Sequence, residues 1–546
     1  MLQSGVPVFR REPTAEEVAV AESEIATHEL AVSRLQSQIQ TLQRQIDTLK
    51  VSQAEHRRVI GRFRGITTLA RRIPSELLAC IFEQCVKNGW YRAPLVVSHV
   101  CSQWREAARA PRVWSRIYVN MDDAKAIERT RFWLMMASHA PLHITLAATW
   151  RVVPAQILDC ARLLLNHASD WETLNLDTRI VQHVKLIILC IMQSHVALPK
   201  LKRIEVTTEM QFDPELDGMD GETVTSADAF SADRAPNLTS ISLRTNALPP
   251  SIKFPAHLCR LELTISDSPS SRHLRASSLL DVLESLSCLK YLSISMPLEY
   301  ERPYEDDAGM RIVELPELSA LFLYGPTDIN GFLTHLYAPA LRRLHLRSLE
   351  DRGYRQNPIG PSLLEFIRNT SSHTSYSPIE VLELYDIDLP PEHFAACFTS
   401  LPNLCELRLH ESSISEATLR LLQTSGGSLT YQGGLCPKLT KLDLRWCGHL
   451  PGSALVALVQ SRMVDHSQVK LAPSPITEVT VLNCCFVEEQ DVIELSKMTQ
   501  CRVVVRPSDY CYSRRCCENI RYRQRLWLRH LSSLPPEERA RYRLIV

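Results

Sequence analysis

Leu289-Lys290-Tyr291-Leu292-Ser293-Ile294 is followed by Leu318-Ser319-Ala320-Leu321-Phe322-Leu323 and then by Leu341-Arg342-Arg343-Leu344-His345-Leu346. Within each stretch the last two apolar residues are two apart, the period of an extended strand that buries one face. The same apolar-x-x-apolar-x-apolar unit begins at Trp171, Leu201, Leu238, Leu258, Leu289, Leu318, Leu341, Ile379, Leu404, Leu439 and Ile476. Eleven copies separated by about 20 to 38 residues are too many to arise by chance. The intervals carry helical patterns such as Ser278 to Leu286 and Ala417 to Gln423. A unit of one strand and one helix cannot bury its own apolar face, so the copies must stack. The expected fold class is therefore α/β, with a solenoid over residues 140–505.

This pattern resembles the leucine-rich repeat, in an irregular form. The resemblance implies parallel strands on a concave face and helices on a convex one. The Asn or Cys that the family places shortly after each strand is mostly missing, although Cys447 and Cys484 come close. Strand alternation turns the residues between the apolar ones toward the concave face. Tyr291, Phe322 and Tyr324 then neighbour Arg343, His345 and Arg347, with Glu383, Tyr385, Arg408, His410, Lys441, Asp443 and Arg445 further along. Aromatic and arginine side chains dominate interface hot spots, so those first six residues are the candidate target-binding set, suited to an acidic or phosphorylated segment. The alternative is that an insertion covers Phe322 and that carboxylates neutralise the arginines.

Upstream, residues 66–119 read as a compact all-α module. Ile73-Pro74-Ser75-Glu76-Leu77-Leu78-Ala79-Cys80-Ile81-Phe82 opens it, with Pro74 in the first helical turn. A second helix is expected through Leu95 to Ala108, including Val100-Cys101-Ser102-Gln103-Trp104-Arg105, and Pro111-Arg112-Val113-Trp114 closes the module. These three blocks, in this order, resemble an F-box. The resemblance implies a Skp-family adaptor as partner and, through it, a cullin scaffold. By resemblance the adaptor-binding residues are Ile73, Pro74, Leu77, Leu78, Ile81 and Phe82, joined by Val97, Val100, Cys101 and Trp104. A module this short must also bury its large aromatics to fold, so part of this set is expected to be core. The polar Asn88 to Ala93 connection, with its Trp and Tyr, departs from the family pattern.

Residues 14–58 contain neither Gly nor Pro and read as one coiled-coil helix, ended by Gly61 and Gly65. Val18, Ile25, Val32, Ile39 and Ile46 fall at heptad position a; Ala21, His28, Leu35, Leu42 and Leu49 fall at d. β-Branched residues at a with Leu at d favour a parallel two-stranded homodimer. A helix folded back on its own chain is the other arrangement this pattern allows. An N-terminal coiled coil, an F-box and irregular repeats together look like a group of F-box proteins common in mushroom-forming fungi.

Composition sets the outer limits. Lys+Arg and Asp+Glu are balanced at 61 each, so no global field draws the chain to nucleic acid or membrane. No apolar run reaches spanning length and the first residues do not form a signal peptide, which places the expected protein in the cytoplasm or nucleus. The 17 cysteines follow no regular spacing, as expected of reduced thiols. Residues 506–546 are expected to be an Arg-rich helical cap or tail, with Tyr522 and Trp527 leaving nucleic-acid contact as a minor alternative. Neither Asp213 to Glu222 nor the C-terminal cysteines Cys501, Cys511, Cys516 and Cys517 match a metal-binding motif, and no cofactor is expected. Nucleotide-binding, hydrolase-elbow and zincin motifs are absent, so the expected protein is not an enzyme.

Overall fold

A computed structural model describes residues 12–67, 72–210, 230–245, 254–265, 276–295, 311–325, 329–348, 359–371, 377–424 except 388, 411 and 413, 434–463 except 448 and 449, and 473–504 except 483 and 485. The acidic stretch Asp213 to Glu222, the Arg-rich tail and Cys511, Cys516 and Cys517 lie outside these residues. By contact density the chain divides into two units: residues 1–85 with 92–109, and residues 86–91 with 110–546.

The first unit begins with helix α1, Ala15–Thr67. Thr14 and Glu17 start it reciprocally: the Thr14 N–H donates to Glu17 Oε2 at 2.9 Å and the Glu17 N–H donates to Thr14 Oγ1 at 3.4 Å. Gly61 and Gly65 do not end the helix, contrary to the sequence reading. A glycine in a helix interior costs only about 1 kcal/mol, and 53 residues of otherwise helix-forming sequence absorb that. All ten seam residues from Val18 to Leu49 are exposed, so the described chain does not fold back over them.

Three short helices follow: α2 Ser75–Lys87, α3 Ala93–Ser98 and α4 Ser102–Ala107. Pro74 sits just before α2, where its carbonyl accepts the Leu78 N–H at 3.0 Å, rather than within the first turn. The single helix expected from Leu95 to Ala108 is broken in two, because Cys101 is fully extended (φ −159°, ψ 174°) and caps α4. Phe82 of α2 packs on Trp104 of α4 with ring centroids 5.1 Å apart, and Gln103 Nε2 donates to the Ile73 carbonyl at 3.0 Å.

The second unit is built on one 14-stranded parallel sheet in which each strand lies beside the next in sequence, apart from a two-stranded side sheet. Its strands are β1 Arg116–Asn120, β2 Leu142–Ala148, β3 Trp171–Ile180, β4 Arg203–Met210, β5 Ser240–Thr245, β6 Arg260–Ile265, β7 Tyr291–Ser295, β9 Ala320–Gly325, β11 Arg343–Ser348, β12 Val381–Tyr385, β13 Glu406–His410, β14 Lys441–Arg445, β15 Glu478–Leu482 and β16 Gln500–Val504. The side sheet pairs β8 Val313–Glu314 with β10 Leu336–Tyr337. Eleven of the fourteen strands are the eleven quoted copies. The sheet starts at Arg116, inside the segment read as the close of the all-α module, not near residue 140. Trp114 accordingly packs on Trp133 and Phe132 of the solenoid unit, at 5.1 and 5.5 Å.

The repeat rule is visible atom by atom. The leading Leu201, Leu238, Leu258, Leu289, Leu318, Leu341, Leu404 and Leu439 are fully buried, and each donates its N–H to the carbonyl three residues before it. This turn drives the chain into the next strand and stacks the leucines on the apolar residues of the neighbouring rung. Helices such as Ile359–Thr370, Pro391–Ser400 and Gly452–Ser461 return the chain and contribute buried faces of their own. Cys447 and Cys484 take the place expected of the family's Asn or Cys. Their thiols donate to the carbonyls of Leu409 at 3.3 Å and Leu444 at 3.5 Å in the preceding strands.

Arg462 replaces the missing closures elsewhere. It is buried after its helix ends, and its guanidinium donates to the carbonyls of Leu422, Cys436, Leu439 and Leu435 at 2.9, 3.1, 3.3 and 2.7 Å. Burial pushes this guanidinium down to about 10, and it is held by backbone dipoles rather than a carboxylate. Among the described residues all cysteines are free thiols, and no helix is long and apolar enough to cross a membrane.

Candidate functional site

In the helical unit the ten proposed adaptor-binding residues separate by burial. Leu78, Phe82 and Val97 are buried, while Ile73, Cys101 and Trp104 are half-buried. Pro74 is exposed, and so are Leu77 at 56%, Ile81 at 46% and Val100 at 57%. Leu77 and Ile81 are four residues apart and share one face of α2, as Leu78 and Phe82 share another. Val96, which the sequence reading passed over in favour of Val97, is 47% exposed and stands four residues before Val100. Leu77, Ile81, Val96 and Val100 are thus four large apolar side chains left in water on α2 and at and after α3.

In the solenoid unit the strand register places Phe322 of β9 directly beside His345 of β11 and Ser293 of β7, while Tyr291 lies beside Ala320, two residues earlier on the same face. Their rings form a belt: Tyr291 to Phe322 is 5.1 Å, Phe322 to His345 5.4 Å and Tyr324 to His345 4.8 Å. Cations sit on the belt face to face. The Arg260 guanidinium lies 3.6 Å from the Tyr291 ring centre, and that of Arg347 lies 4.2 Å from the Tyr385 ring centre. Tyr385 in turn meets His410 edge-on at 5.5 Å. All six candidate target-binding residues thus lie on three adjacent rungs. Sequence reasoning omitted Arg260, Tyr385 and His410 from the set, although the alternation had put the last two on this face.

Next to the belt is a carboxylate cluster. Glu383 Oε1 accepts from His345 Nδ1 at 3.1 Å, and Glu383 Oε2 accepts from Arg408 Nη1 at 3.3 Å. Arg408 Nε also donates to Glu406 at 2.6 Å, and Arg445 grips Asp443 with two bonds of 2.7 Å. Burial pushes the Glu383 carboxyl up, but the His345 hydrogen bond and the charges of His345, His410 and Arg408 outweigh it and hold it below the usual range. Burial pulls His410 down against Glu383 and Asp443, and pushes the Tyr324 hydroxyl up.

The arginines therefore fall into two kinds. Arg408 and Arg445 are neutralised by carboxylates, while Arg343 and Arg347, the arginines that the alternative sequence reading had paired, form no ion pair with a described residue. His345 Nε2 and Arg347 Nε are buried with no hydrogen-bond partner among the described residues. Phe322 is half-buried, so its ring is in part accessible. No three His, Cys, Asp or Glu side chains among the described residues are placed to hold a metal ion.

No protein-family model and no curated protein matches the chain. Among solved structures it is similar to a chain of the crystal structure of the Rad7 and Elc1 complex in yeast, at 14% identity over 82% of this chain and 92% of that one, with a TM-score of 0.35.

Proposed function

We propose that the chain is the target-recognition subunit of a cullin-based ubiquitin ligase: its helical unit is an F-box that binds a Skp-family adaptor, and its solenoid holds the protein to be modified. The observation that carries this reading is the division of burial in the helical unit. The F-box pattern supplies ten apolar or aromatic contact residues, and four of them, Pro74, Leu77, Ile81 and Val100, are not used in the unit's own packing and stand in water. In this reading other chains catalyse ubiquitin transfer and this one supplies proximity, working in the cytoplasm or nucleus.

The target lies along the aromatic and cationic belt, with Arg343 and Arg347 as donors to acidic or phosphorylated side chains. A second reading, favoured by the exposed seam of α1, is a dimeric repeat scaffold that binds partners without a ligase. The two part on one experiment. Changing Leu77 and Ile81 together to Asp puts charges into a contact that must be dry, so the full chain should lose co-purification with a Skp-family adaptor while its thermal unfolding is unchanged. Wild-type chain that fails to capture any such adaptor leaves the scaffold reading standing.

A further inference from the structure

We propose that helix α1 pairs with α1 of a second copy in antiparallel orientation, with residue numbers of facing seam positions adding to 81. This deepens the dimer reading above and rests on it. Three observations carry it: the seam is uncovered, the helix is electrically two-ended, and only one orientation reconciles its flanks.

The a and d positions run from Val18 to Phe63 over a helix of 53 residues, about 80 Å long, apolar except at His28, Gln53 and His56, and their side chains are exposed. Charge is distributed unevenly along it. Between residues 15 and 33 the charged residues are Glu16, Glu17, Glu22, Glu24 and Glu29, with no Lys or Arg; from Arg34 to Arg64 there are seven Lys and Arg against Asp47 and Glu55. Two such helices side by side in parallel align acid with acid. Position g meets e of the next heptad, so Glu17 faces Glu22 and Glu24 faces Glu29 of the second copy, and like charges there are destabilising.

Antiparallel pairing reverses this. Position a then faces d of the second copy, and with the sum fixed at 81 all seven heptads overlap: Val18 with Phe63, Ile25 with His56, Val32 with Leu49, Ile39 with Leu42, Ile46 with Leu35, Gln53 with His28 and Ile60 with Ala21. Of the three polar seam residues, His28 and Gln53 then meet and can hydrogen-bond instead of each facing its own copy, while His56 faces Ile25. On the flank, e meets e: Glu22 faces Arg57 and Glu29 faces Lys50 of the second copy. The g flank pairs Glu24 with Val59, Ala31 with Ser52 and Gln38 with Gln45, so no like charges meet. The preference of β-branched a and Leu d positions for parallel pairs is opposed here by the charges, and the charge pattern runs the whole length of the helix.

The two orientations respond oppositely to one substitution. In the full chain, Glu22→Lys with Glu29→Lys places cation against cation in the antiparallel dimer but converts both repulsive pairs of the parallel dimer into attractive ones. Sedimentation equilibrium at low salt should show a wild-type dimer, a dissociation constant raised by about tenfold or more in this double variant, and recovery when Lys50→Glu and Arg57→Glu are added. Because all four positions are exposed, circular dichroism and solenoid unfolding should be unchanged, which separates weaker association from misfolding. A double variant that associates more tightly, or just as tightly, overturns the antiparallel assignment while leaving the dimer. A wild-type chain that stays monomeric at tens of micromolar overturns the dimer itself.

Discussion

The helical unit and the open face of the sheet both offer apolar and aromatic surface, yet they are prepared for partners in opposite ways. In the helical unit Leu77, Ile81, Val96 and Val100 stand in water with nothing to satisfy them but burial. On the sheet the rings stack on one another and on Arg260, and Glu383, Arg408, Asp443 and Arg445 are already paired. A bare apolar row gains its full transfer free energy when covered and asks little of its partner's chemistry beyond shape. A face on which some charges are paired while Arg343 and Arg347 have no ion pair with a described residue must be met by groups that match that pattern, and that demand selects among partners. The proposed function assigns an invariant adaptor to the first and a specific target to the second.

The contrast breaks most easily inside α2. Phe82→Ala empties a buried site against Trp104 and should cost about 3–5 kcal/mol, whereas Leu77→Ala, one turn away on the exposed face, should be within about 0.5 kcal/mol of wild type. Chemical denaturation followed by Trp fluorescence measures both; equal costs would mean that α2 has no free face.

On the sheet, replacing Phe322, Tyr324, Arg343 and Arg347 by Ala should spare the buried Leu321, Leu323, Leu344 and Leu346 and so preserve folding. Capture of cellular target should fall by about thirtyfold or more, about 2 kcal/mol, while Thr173→Ala with Asn175→Ala leaves it near wild type. Loss of capture in both sets, measured by quantitative pull-down, would place the target elsewhere.

A subtler test addresses the claim that the carboxylate cluster on the sheet face contributes to folding. Glu383→Gln leaves His345 and Arg408 without their shared carboxylate and should destabilise the solenoid by about 1–2 kcal/mol by urea denaturation. An unchanged midpoint would show that the cluster contributes nothing to folding.

The smallest effect is in pH. Burial pulls His143, His183 and His410 down from their ordinary value, so the unfolded chain binds the extra protons first. Stability from these groups is whole above about pH 6.5 and drains as pH falls below it; Glu383, held low, adds a loss only below about pH 4.5. Melting should occur about 1–3 °C lower at pH 5.5 than at pH 7.5, with a shallower slope in His183→Gln. Melting that rises on acidification would contradict the assigned directions.

Much of this architecture could be read from leucine spacing alone, because each rung must bury the same three positions. The three strands that escaped carry the same spacing with a disguised lead residue. Trp114 precedes Ile117 and Val119, Pro141 precedes Ile144 and Leu146, and Met498 precedes Cys501 and Val503. Trp114 was read instead as the end of the helical module, which displaced the start of the sheet. The exposed face of α2 was legible as helix periodicity, but the single helix expected from Leu95 to Ala108 is divided at Cys101, and it is Val96 rather than Val97 that is left exposed. Arg260 over Tyr291 was invisible, because it requires the register between strands 31 residues apart in sequence. The partnering of Arg408, while Arg343 has no ion pair among the described residues, has the same origin: it depends on which carboxylate the next rung brings alongside.

The central claim is that the helical unit, through its bare apolar row, holds the adaptor while the sheet stays open for a target. Hydrogen exchange of the full chain with and without a Skp-family adaptor tests it most directly. Slowed exchange confined to residues 75–100, with β3 to β16 unchanged, is the predicted result. Protection along the sheet rungs, or no change at residues 75–100 in a complex that demonstrably forms, would contradict it.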